Sequence, residues 1–98
     1  MHIKLVGLNA RYTHSCLALF YLRNELEKYL PEVRPEIVQG TINDSSYETL
    51  LRLTADSPEA IFFSAAIWNS DLVERLIVDL RKVLPACLLV VGGPQAGM

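Results

Sequence analysis

Hydrophobic and polar positions come in blocks whose period changes along the chain. HIKLVGL, residues 2–8, is an apolar run rich in branched side chains, the pattern of a strand covered on both faces in a parallel sheet. From Ser15 onward Leu17, Phe20, Tyr21, Leu22, Leu26, Tyr29 and Leu30 recur at helical spacing with charges between them, and Pro31 marks the stop. PEIVQGTI predicts a second strand, weakened by Pro35 and closed near Gly40, which suits a short or peripheral position. NDSSYETLLRLTADSP predicts a helix entered through a capping box, in which the Ser45 hydroxyl accepts from the Glu48 N–H and the Glu48 carboxylate reaches back. Leu50, Leu51 and Leu53 make the buried face of that helix. AIFFSAAI is a third apolar strand. NSDLVERLIVDLRKVLP follows as an amphipathic helix with acidic residues early and Arg81 and Lys82 late, matching the helix dipole. CLLVVGG ends the series as a fourth strand.

Four strands separated by three helices, each connection long enough for a crossover, imply a parallel sheet with right-handed units and helices on both faces. The expectation is an α/β, Rossmann-like (flavodoxin-like) three-layer sandwich with strand order 2-1-3-4. Ligands of such sheets bind outside the carboxyl ends of the strands, around the switch between strands one and three. The segments to read for chemistry are therefore 9–14, 65–69 and 92–98. The usual fifth strand of this fold is missing, so CLLVVGG is expected to be an exposed apolar edge that pairs with another copy or a neighbouring molecule.

The chain's 98 residues fit one domain, and 51% hydrophobic against 20% charged residues exclude intrinsic disorder. Nine Lys and Arg against eleven Asp and Glu give a net charge of -2, no footprint for a nucleic acid. Met1 is followed directly by a short apolar run without the charged lead and cleavage site of a secretory signal, and no window offers the ~20 apolar residues of a membrane span. Cys16 and Cys87 stand far apart inside apolar segments and read as buried thiols. A reducing cytoplasm is the expected setting.

The loop after strand one, LNARYTHS, offers Asn9, Arg11, Tyr12, Thr13 and His14 beside the expected crevice. It lacks both the G-x-G-x-x-G of a dinucleotide site and the lysine pattern of a P-loop, and strand one ends in Asn9 where a receiver domain would place a metal-binding carboxylate. His14 is either an acid/base or ligating group, or a polar residue near a helix start. Arg11 either pairs with an anion or is solvated; Tyr12 either stacks on a planar ligand or covers the sheet edge. After strand three, Ser64, Ala65 and Ala66 let a bulky group approach the backbone, or else serve tight strand contacts. Trp68 is a pocket wall or a core aromatic, and Asn69, Ser70 and Asp71 are N-cap candidates. After strand four, Gly92 and Gly93 remove side chains where another body comes close, or simply turn the chain before Pro94.

The combination of LNARYTHSCLALFYLRNEL, TINDS, FFSAAIWNSDLVERLIVDLRKVLP and VVGGPQAG resembles the N-terminal cobalamin-binding domain of cobalamin-dependent radical S-adenosylmethionine proteins. The likeness runs over essentially the whole chain. It is closest to the Fe-S oxidoreductase branch, similar to anaerobic magnesium-protoporphyrin IX monomethyl ester cyclase; NARYTHS and IWN are the more specific motifs, and GGP is shared more widely. The resemblance implies a corrin across the carboxyl ends of the strands, with its nucleotide tail lowered between sheet and helices. Cofactor contacts would then come from Asn9, Arg11, Tyr12, Thr13, His14, Ser64, Ala65, Trp68, Asn69, Gly92, Gly93 and Pro94, Ser64 lying near the tail and the two glycines against it.

Two departures shape what the resemblance implies. Methionine-synthase-like domains carry D-x-H-x-x-G after strand one, whereas here Arg11 stands two places after Asn9 and His14 five places after it, with no Gly following. His14 therefore does not inherit the cobalt-ligand role, and the expectation is base-off cobalamin whose lower face meets a loop residue or water. A 4Fe-4S cluster needs three closely spaced cysteines, which Cys16 and Cys87 do not supply. The cluster and S-adenosylmethionine belong, on this reading, to a downstream radical domain of a methyltransferase or cyclase, and this chain holds no catalytic centre. Two other classes stand beside it: a flavin- or nucleotide-binding flavodoxin-like module, and an interaction domain without ligand.

Overall fold

The structure is a computed structural model that describes residues 1–9, 17–64 and 69–92. The elements run β1 (His2–Asn9), α1 (Leu17–Tyr29), β2 (Arg34–Thr41), α2 (Ser46–Thr54), β3 (Ala60–Ser64), α3 (Ser70–Val83) and β4 (Leu88–Gly92). All strands pair in parallel, in the order β2-β1-β3-β4. This is the flavodoxin-like, Rossmann-like α/β arrangement that the alternating pattern predicts. Pro35 lies in β2, which is indeed an edge strand, since an imide without an N–H is tolerated only where one side of the ladder is open.

Side chains alternate across the sheet, so Lys4, Val6 and Leu8 share one face with Val38, Ile61 and Phe63. That face meets Leu53 of α2 and Leu72, Val73, Leu76 and Leu80 of α3 in one continuous apolar core. On the other face α1 packs against β1 and β2, with Leu5 and Leu19 both buried. It leaves Leu88 and Val90 of β4 exposed.

The Ser45 half of the capping box is present: its hydroxyl accepts from the Glu48 N–H at 3.5 Å. The predicted face of α2 needs correction, because Leu51 is exposed and the buried positions are Thr49 and Leu53, with Leu50 half-buried. In α1, likewise, Tyr21 and Tyr29 are exposed, as is Leu30 just after it, while Leu19 is buried. Both helices have one side wide enough to meet the sheet, so apolar residues at the rim of the stripe stay in water.

Lys4 is the residue that the apolar reading of β1 passes over. Its side chain is buried in the core layer, and Nζ donates to the Arg52 carbonyl at 2.5 Å. Arg52 lies in the last turn of α2, where carbonyls lack helical partners and the helix dipole is negative, so an ammonium is well placed there. Cys87, just before β4, is a buried free thiol, and burial raises its pKa above the ordinary thiol value. Cys16 lies outside the described residues. Among the described residues no helix is long and apolar enough to cross a membrane.

Candidate functional site

The carboxyl ends of the four strands lie side by side, as the parallel topology demands. Register sets Asn9 beside Thr41, Gly7 beside Ser64, and Ser64 beside Gly92. Gly7, Ser64 and Gly92 thus form a row across β1, β3 and β4 on the α1 face, with no side chain larger than a hydroxymethyl group. The three positions are not equivalent. Gly7 is buried, and Gly92 lies under the Phe62 ring: a Cβ at Gly92 would fall 2.7 Å from Phe62 Cζ and 3.0 Å from Cε2. Ser64, between them, is half-buried, as is Gly92. The sequence leaves Gly92 between room for another body and a plain turn; a side chain here would meet an aromatic ring two strand positions back on β3, a contact that the pairing of β3 with β4 creates.

Asn69 sits just before α3, where an N-cap is expected, yet its side chain makes no cap hydrogen bond to the helix. It turns back instead. The Nδ2 group donates to the Leu8 carbonyl at 2.8 Å and to the Ser64 carbonyl at 3.1 Å, and the residue is buried. An amide side chain thereby ties the ends of β1 and β3, the two strands that flank the topological switch.

At the end of β2 the buried Thr41 builds a tight polar turn with Asp44. Asp44 Oδ2 accepts from the Thr41 N–H at 2.9 Å, Oδ1 lies 3.2 Å from the Thr41 hydroxyl, and that hydroxyl accepts from the Asn43 N–H at 3.2 Å. Gly40 makes room for this turn, since a Cβ there would stand 2.9 Å from Asp44 Oδ2 and 3.4 Å from Arg52 Nη1. Arg52 in turn donates from Nη2 to the Gln39 carbonyl at 2.8 Å, anchoring α2 to β2. Sequence reading missed Phe62, Thr41 and Asp44 as parts of this end of the sheet. The T-x-x-D spacing at a strand end is a readable turn signal for the latter two; nothing local announces Phe62.

Of the residues expected at the site, Asn9, Ser64, Asn69 and Gly92 come together at the strand ends. Arg11, Tyr12, Thr13, His14, Ala65, Trp68, Gly93 and Pro94 lie outside the described residues, as do Ala66 and most of the segment 92–98. Among the described residues no three His, Cys, Asp or Glu side chains converge as a metal site would require. Comparison with known family models and with curated proteins finds no match for the chain.

Proposed function

We propose that this chain is a cobalamin-binding module, the cofactor-docking domain of a radical S-adenosylmethionine protein. The observation that carries the reading is the row of small residues Gly7, Ser64 and Gly92 at the carboxyl ends, of which Ser64 and Gly92 are half-buried. A corrin with a pendant nucleotide tail needs a narrow opening beside the sheet, with small residues at adjacent strand ends. Ser64 would sit at that opening, with buried Gly7 on one side and Gly92, beside the Phe62 ring, on the other. The sequence resemblance puts the tail at the same serine. Contacts to the corrin would come chiefly from the loop carrying Arg11, Tyr12, Thr13 and His14 and from Ala65, Trp68, Gly93 and Pro94.

On this reading cobalamin is the ligand, and the 4Fe-4S cluster and S-adenosylmethionine are held by a radical domain elsewhere in the complete protein. The chemistry is methyl transfer or a cyclisation, carried out in the cytoplasm, and this domain's part is to seat the cofactor. Titration with hydroxocobalamin, followed through its visible spectrum, tests the proposal. Saturable binding that Ser64→Leu weakens is expected. No bound corrin at high micromolar concentration overturns the reading, and a melting shift with flavin or a nucleotide instead would favour the flavodoxin-like alternative.

A further inference from the structure

Among the described residues the β1–β3 register runs up to the pair Gly7 and Ser64. Beyond that pair β1 stays paired to β2 through Leu8 and Asn9, and Ser64 is paired to Gly92 of β4, while α1 and α3 lie on opposite faces of the sheet. Asn69 stands at this point. Its two amide hydrogens go to Leu8 O and Ser64 O, at 2.8 and 3.1 Å, while its own carbonyl accepts from the Val73 N–H at 2.9 Å and starts α3. One buried residue therefore fixes the end of β1, the end of β3 and the origin of α3 relative to one another.

The chemistry of the contact is selective. Both partners are carbonyl oxygens, so the side chain has to present two N–H donors from one atom; a carboxylate would set oxygen against oxygen, and a hydroxyl has one hydrogen to give. Alanine would leave both carbonyls short of a donor in a buried place.

We propose that Asn69 is the positioning residue of this site: by clamping Leu8 and Ser64 it fixes the half-buried strand end at Ser64 beside which the ligand's tail would be seated. The clamp itself is independent of ligand, whereas its consequence for binding rests on the cobalamin reading.

Two measurements separate these layers. In the ligand-free protein, hydrogen exchange should show the Asn69 side-chain amide protected, and Asn69→Ala should speed exchange of the Leu8 and Ser64 backbone amides about tenfold while those of Lys4 and Ile61, at the other end of the same strands, stay unchanged. An Asn69 amide that exchanges at the rate of a free side chain overturns the inference whether or not cobalamin binds. In the second measurement, hydroxocobalamin binds to wild type, Asn69→Ala, Asn69→Asp and Leu53→Ala at a temperature where each is fully folded. Leu53 serves as control because it lies in the core at the end of α2, remote from the crevice. Both Asn69 variants should raise Kd about tenfold or more and alter the induced circular dichroism of the corrin bands, with Leu53→Ala changing neither. Equal losses in Leu53→Ala and Asn69→Ala, or wild-type binding by both Asn69 variants, overturn the positioning role. Failure of the wild type to bind overturns the cobalamin reading and leaves the exchange result to decide the clamp.

Discussion

The two ends of the sheet are held by different chemistry. At the amino ends the contacts carry charge: Lys4 reaches the last turn of α2, His2 Nε2 lies 2.8 Å from Glu36 Oε1, and the His2 N–H donates to Glu59 Oε1 at 3.3 Å. At the carboxyl ends of β1, β3 and β4 the described contacts are neutral, made by the Asn69 amide and by the row Gly7, Ser64 and Gly92. Charged groups anchor an end well when their partners stay put. Small neutral residues anchor little, but they leave space and impose no fixed charge on what enters it. The difference is one of anchoring: charged contacts hold the amino ends, whereas at the carboxyl ends of β1, β3 and β4 the described holding contact is the Asn69 amide.

The largest expected effect breaks the amino end. Lys4→Ala removes a buried stem and the donor to Arg52 O, and should cost about 3 kcal/mol in denaturant unfolding; Lys4→Met keeps the volume and should cost about half of that. An unchanged midpoint in Lys4→Ala would mean that this end anchors nothing. Next comes the carboxyl end. Gly92→Val drives a side chain into the Phe62 ring and should cost about 1–2 kcal/mol, because the half-buried ring is able to swing aside. In a double-mutant cycle Phe62→Ala should remove most of that cost, and additivity of the two changes would show that the ring is not the obstacle.

A smaller effect concerns the two edges that join these ends. β2 carries Arg34, Pro35 and Glu36 and is packed by α1, features that discourage pairing with another chain. β4 is LLVVG, without charge or proline, and exposes Leu88, Val90 and Val91. Light scattering should detect self-association at high concentration that Val90→Lys abolishes with little change in melting temperature. A clean monomer at every concentration would contradict this.

The smallest effect is a pH dependence at Cys87, at the amino end of β4. Burial raises its pKa in the folded state, so the folded protein favours the neutral thiol. This contribution is fully present below the pKa of an exposed thiol. As pH rises through that range the unfolded chain loses its proton first, and stability falls until the folded thiol also ionises. Melting temperature should therefore decline slightly above about pH 9, and the decline should be smaller in Cys87→Ala. Equal declines would assign it to other groups.

Much of the architecture was legible because it depends on local period. Val73, Leu76 and Leu80 mark the buried stripe of α3 by spacing alone, and Pro35 points to an edge. The candidate site was legible only in part. Ser64 and Asn69 could be picked by position, and Asn69 does stand at the N-cap of α3, but its Nδ2 group also donates to two strand carbonyls, and the one at Leu8 is brought to it only by the assembled sheet. Leu51 looked like core by its type, and the width of the covered face of α2 left it outside.

By itself the sequence determined the order and kind of the seven elements and the parallel sheet they form, since periodicity, caps and crossover lengths are properties of neighbouring residues. Tertiary structure alone decided that Lys4 is buried under α2, that Phe62 covers Gly92 and that Asn69 joins β1 to β3. Each of these is a contact between segments that meet only after the strands have taken their places, and no local pattern specifies which atoms arrive there.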